Sequence, residues 1–233
     1  DTESGRFVKL DLRNADAVDA MQSADVLHRE NLALLSTEWL HDALVNLPRS
    51  QTKGQLFAML RHPVERLLAV YYTLQDPSHP NFDPRLSSMS LHEYADFVDD
   101  RLEFNFMVKS LVSADGGLSD SKELTMFDLS IAKTILKEHV VVLLLDDKLG
   151  SWAKLLTVMG WHESEAQKHC VNEVLMQVWP KMDHPGLEPD STLYQRLLKR
   201  VKWDAELYEY ALGLFQEQAD ELMHGEAAES SSS

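Results

Sequence analysis

The run HVVVLLL at residues 139–145 constrains the fold more than any other stretch of this chain. Val140 to Leu145 are all β-branched or leucine, with no polar residue among them. A strand with one wet face alternates apolar and polar side chains, and this one does not. Such a run fits a strand buried on both faces, as in a parallel sheet covered by helices. Asp146 and Asp147 follow directly, and both read as caps for the helical pattern KLGSWAKLLTVMGW.

Other segments extend the same alternation. FVKLDL at 7–12, LALLS at 32–36 and QLFAML at 55–60 read as strands. Helical patterns cover 15–29, 38–47, 63–75, 89–100, 103–112 and 125–138, and one or two helices lie within 191–222. Residues 76–88, DPSHPNFDPRLSS, and 113–123, SADGGLSDSKE, are polar loops. From 162 to 185 the pattern is weak. The tail GEAAESSSS, residues 225–233, is disordered by composition. No repeat or linker divides the chain, so residues 1–224 are expected to form one domain. The expected class is α/β, a three-layer αβα arrangement with a mostly parallel central sheet. Ligands of such sheets bind at the carboxyl ends of the strands.

Charge narrows the partners. The net charge of −16 disfavours nucleic acid, anionic membrane and highly sulfated or carboxylated polymers. No apolar run approaches the roughly 18 residues that span a membrane. The single cysteine, Cys170, makes no intrachain disulfide and no cysteine-based metal site. His162 and His169, near Cys170 and His184, match no zinc spacing and read as surface residues. Tyr71, Tyr72, Trp152, Trp161 and Phe215 fall at helical spacing and read as core.

The stretch FAMLRHPVERLLAVYYTLQ, residues 57–75, carries the most chemistry. Pro63 suits the first turn of a helix, where its missing N–H is not needed. Arg61 then stands at a strand tip beside a helix start, where backbone N–H groups and the helix dipole favour an anion. From spacing alone the plainer reading comes first: surface charges at a strand–helix junction, with Arg66 pairing locally.

The segment LRHPVERLLAVYYTLQ resembles the R-x-P-x-x-R-x-x-S-x-Y-Y stretch of sulfotransferases like the heparan sulfate and uronyl 2-O-sulfotransferases, in the manner of their divergent algal members. EFNFMVKSL, VVVLLLDDKLGSWAKLLTVMGW and WDAELYEYALGLFQEQ resemble later segments of that family, in the same order over residues 55–218. The resemblance implies a P-loop-like sulfotransferase fold and a donor, 3′-phosphoadenosine 5′-phosphosulfate, with no metal. It implies transfer of a sulfuryl group to a hydroxyl of a glycan or glycoprotein. It also implies residence in the Golgi lumen behind a membrane anchor outside this chain. Carried over, Arg61 binds the 3′-phosphate, with Arg66 beside it in the motif, and Asn105 faces the acceptor pocket. The acidic surface favours a neutral or weakly charged acceptor.

Two departures stand out. The family's serine is Ala69 here. None of the nine glycines opens a helix after an apolar strand with Lys, Ser or Thr following, so the 5′-phosphosulfate loop is missing. That strand–loop–helix unit is expected upstream of Asp1, with the chain beginning in mid-protein. The catalytic base must be a group able to take a hydroxyl proton near neutrality, and His41, beside Glu38, is the candidate. On spacing alone His41 is an exposed helix histidine. The alternative function is a non-catalytic relative that keeps the fold to bind a glycan or protein.

Overall fold

The structure, a computed structural model, describes residues 40–46, 55–96, 104–113, 123–175 and 184–230. The expected elements at 7–12, 15–29 and 32–36 lie outside them. The described elements in chain order are α1 (Leu40–Asn46), β1 (Phe57–Leu60), α2 (Pro63–Gln75), α3 (Leu91–Asp96), α4 (Phe106–Val112), α5 (Met126–His139), β2 (Val141–Leu144), α6 (Lys148–Met159), α7 (Glu165–Cys170), α8 (Thr192–Arg200) and α9 (Lys202–Ser230). A π-helical turn, Val171–Leu175, continues α7. The protein is mixed α/β, with β1 and β2 paired in parallel, Phe57 opposite Val141 through Leu60 opposite Leu144.

Backbone proximity sorts the chain into two compact units. The larger takes in Gln55–Val108 and Leu124–Ser233. The smaller contributes, among the described residues, α1, residues 109–113 and residue 123.

The start of α2 follows from sequence. Pro63 occupies its first turn, with His62 at the N-cap. Val64, Leu67, Leu68 and Tyr71 recur at helical spacing and are all buried. They pack with Leu86, Tyr94, Phe104, Leu193, Leu197 and Val201, joining α2, α3 and α8. Each fully buried leucine contributes roughly 2 kcal/mol. α9 lays Leu207, Ala211, Leu214 and Phe215 inward and packs on β2 and α5.

β2 is buried at Val142, Leu143 and Leu144, as its unbroken apolar run demands. Among the described residues, its edge away from β1 is bonded by side chains. Gln218 Oε1 accepts from Val142 N–H at 3.0 Å, and its Nε2 donates to Val140 C=O at 2.8 Å. Ser151 Oγ accepts from Leu144 N–H at 2.7 Å and donates to Leu144 C=O at 2.9 Å. These side chains satisfy backbone groups that would otherwise be buried unpaired.

Four sequence expectations need correction. β1 is not covered throughout: Ala58 and Leu60 face inward, and Met59 on the other face of the pleat is 48% exposed. Trp161 is not core: Gly160 in the left-handed region (φ 63°) ends α6, and Trp161 beyond it stays exposed. His184 is not a plain surface residue: its ring stacks on Tyr72 at 5.4 Å. The tail is not without structure over its first part: α9 runs through Gly225 to Ser230, where the Glu and Ala of GEAAES favour helix.

Candidate functional site

The site is built where both strands of the larger unit end. Leu60 closes the ladder, its C=O accepting from Leu145 N–H at 2.8 Å. Arg61 and His62 then leave β1 and enter α2. Residues 145–147 leave β2 and enter α6. The two exits lie side by side because the strands are parallel and in register.

Arg61 stands at the tip that the sequence gives it. Its Nη2 lies 3.9 Å from Glu65 Oε2, one turn along α2, and its side chain is 29% exposed. His62 takes the N-cap position but makes no side-chain capping bond. A residue with a short oxygen side chain would normally sit there and accept a helix N–H. The start of α2 thus lacks a side-chain cap, beside a guanidinium.

The aspartate pair divides its work. Asp147 caps α6, its Oδ1 accepting from Gly150 N–H at 2.9 Å. Asp146 does not cap. Its Oδ2 accepts from the Tyr208 hydroxyl at 2.6 Å and from the His62 backbone N–H at 3.4 Å. Tyr208, on α9, is buried. Burial first, then the bond to Asp146, pushes its hydroxyl well above the ordinary phenol range, so it stays a neutral donor. The His62 ring meets Tyr208 edge-on at 5.6 Å and stacks on Tyr194 at 6.1 Å. The Tyr194 hydroxyl is 3.3 Å from His62 Nε2. Burial, then the charge of Glu65, raises the Tyr194 hydroxyl.

The other sequence candidates fall elsewhere. The Arg66 guanidinium lies over the Phe106 ring, 4.2 Å from its centroid. His41 stands on α1 of the smaller unit, its Nδ1 3.8 Å from Asp42 Oδ1. Asn105 precedes α4 with φ 54°, and its carboxamide is engaged at both ends with the joint between α8 and α9. The tertiary partner of Asn105 is this joint between two helices. Among the described residues no group of three His, Cys, Asp or Glu side chains is arranged to hold a metal ion. No described helix is long and apolar enough to cross a membrane.

Sequence reading missed His62, Tyr194 and Tyr208, and took Asp146 for a helix cap. One signal was available: a helix needs one capping aspartate, and Asp146-Asp147 supplies two. No family model, no curated protein and no solved structure matches this chain.

Proposed function

We propose that this chain is a carbohydrate sulfotransferase domain. It would pass a sulfuryl group in line from 3′-phosphoadenosine 5′-phosphosulfate to a hydroxyl of a neutral or weakly charged glycan. The observation that carries the reading is Arg61: a guanidinium at a parallel-strand tip, beside a helix start without a side-chain cap. A guanidinium beside a helix start that no side chain caps is a fitting receptor for a phosphate dianion. Glu65 occupies the guanidinium in the free chain, and the incoming phosphate displaces it.

Further support is the order of the segments that carry the resemblance. The R-x-P segment spans the exit of β1, and VVVLLLDDKLGSW spans the exit of β2. The full architecture under this reading is a three-layer αβα, P-loop-like fold, and the protein acts in the Golgi lumen. Under this reading Arg66 remains the proposed second cofactor contact and Asn105 the proposed acceptor contact. A second reading, a non-catalytic relative that binds a glycan or protein, is favoured by Ala69, which withdraws one hydroxyl donor from the phosphate.

The test is incorporation of sulfur label from the donor into a panel of neutral glycans. The sulfotransferase reading expects label from a protein in which the 5′-phosphosulfate loop that this chain lacks is supplied, and none from the same protein with Arg61→Ala. Glycan binding without label in any acceptor supports the second reading.

A further inference from the structure

The bonds at Asp146 do something the R-x-P motif does not account for. Beyond Leu60 the ladder has ended, so nothing in the sheet fixes the Arg61–His62 peptide. Its N–H is instead received by Asp146 from the neighbouring strand's exit. The same oxygen is held by a buried tyrosine on α9. A carboxylate at an exposed strand end would otherwise sample several rotamers. Tyr208 removes that freedom, because its ring is buried and its hydroxyl donates to Asp146 Oδ2. The His62 ring is gripped as well, between Tyr194 and Tyr208. Backbone and side chain of the residue after Arg61 are therefore both clamped.

We infer that Tyr208 and Asp146 are a positioning pair for the Arg61 site: the Tyr208 hydroxyl holds Asp146 Oδ2 against the His62 N–H, and this sets the direction in which the Arg61 guanidinium leaves the strand tip. For the identity of the ligand, this rests on the sulfotransferase reading. Neither residue touches the phosphate. Both act through the peptide that carries Arg61, and a misplacement of a binding group by about 1 Å is enough to weaken a charged contact severely.

The experiment compares the wild-type chain with Tyr208→Phe, Asp146→Asn and Arg61→Ala in two readouts. One is calorimetric affinity for 3′,5′-adenosine bisphosphate. The other is exchange of the His62 backbone amide with solvent deuterium, followed by NMR on the whole chain without nucleotide. Tyr208→Phe is expected to weaken nucleotide binding about tenfold, the value of one lost hydrogen bond to a charged group. It is also expected to speed His62 exchange about tenfold or more. Asp146→Asn keeps an acceptor oxygen and is expected to stay within about threefold of wild type in both. Faster melting of Tyr208→Phe with unchanged affinity and unchanged His62 exchange makes the pair a plain strut and overturns the inference. If the wild-type chain takes up no nucleotide, the ligand is left unsupported and His62 exchange alone decides. The positioning claim then stands if Tyr208→Phe speeds His62 exchange, and falls if it does not.

Discussion

Asn105 and Asp204 cap each other's helices. Asn105 Oδ1 accepts the N–H groups of Trp203 at 3.0 Å and Asp204 at 3.3 Å, in the first turn of α9. The Asp204 carboxylate returns the contact, accepting from Met107 at 3.1 Å and Val108 at 2.9 Å in the first turn of α4. Asn105 Nδ2 also donates to Arg200 C=O at the end of α8. Three helix ends are thereby satisfied by two side chains. Asp204 is buried, and its carboxyl group faces the N-terminal end of α4.

Asp204→Ala leaves two buried N–H groups without their acceptor. The expected loss is about 3 kcal/mol of unfolding free energy. Asn105→Ala removes a cap and also puts a Cβ residue less tolerant of φ 54° in its place, for a loss of about 2 kcal/mol. Urea denaturation of both variants checks this. A loss below half a kcal/mol for Asn105→Ala would mean that its carboxamide serves a ligand rather than the helix joint.

Lys154 gives the stability of this protein a basic limb. Its Nζ is buried, donates to Phe215 C=O at 2.6 Å and lies 3.7 Å from the centroid of the Phe215 ring. Burial lowers its pKa from 10.5 to about 8, opposed by the charge of Asp147. Below about 8 the folded and unfolded chains both hold the proton. Between about 8 and 10.5 only the unfolded chain does, so stability rises with pH through that window. The rise is on the order of 3 kcal/mol if the full shift is expressed. Lys154→Met is expected to abolish it and to be nearly neutral at pH 7, since a buried charge is exchanged for a side chain of similar length. Chemical denaturation at a series of pH values reads both effects.

Gln218 imitates a neighbouring strand along β2. Gln218→Leu keeps the bulk and deletes both bonds, leaving Val142 N–H and Val140 C=O unpaired. A loss of about 2 kcal/mol is expected. Faster deuterium exchange at the Val142 amide, with the β1 side of the ladder protected as before, would localise the effect to this edge.

How much of this was legible depends on how local each cause is. The α2 boundaries could be read because Pro63 and the spacing of Val64, Leu67, Leu68 and Tyr71 act within one helix. β2 could be read because its apolar run admits few other outcomes. α7 could not be read from periodicity, because none of its residues is buried and no apolar stripe marks it. Its one local sign is the capping box between Ser164 and Gln167. Trp161 was misread because helical spacing ignores the left-handed turn at Gly160. The site was legible only at Arg61. Tyr194 and Tyr208 reach it from helices 132 and 62 residues away from their partners His62 and Asp146, and no local pattern encodes such a meeting.

The central claim is that Arg61 receives the 3′-phosphate of a nucleotide at the tip of β1. Calorimetric titration of 3′,5′-adenosine bisphosphate into the wild-type chain and into Arg61→Ala tests it most directly. Saturable binding by the wild type, weakened at least about tenfold in Arg61→Ala, is the predicted result. Equal binding by the two proteins would contradict it.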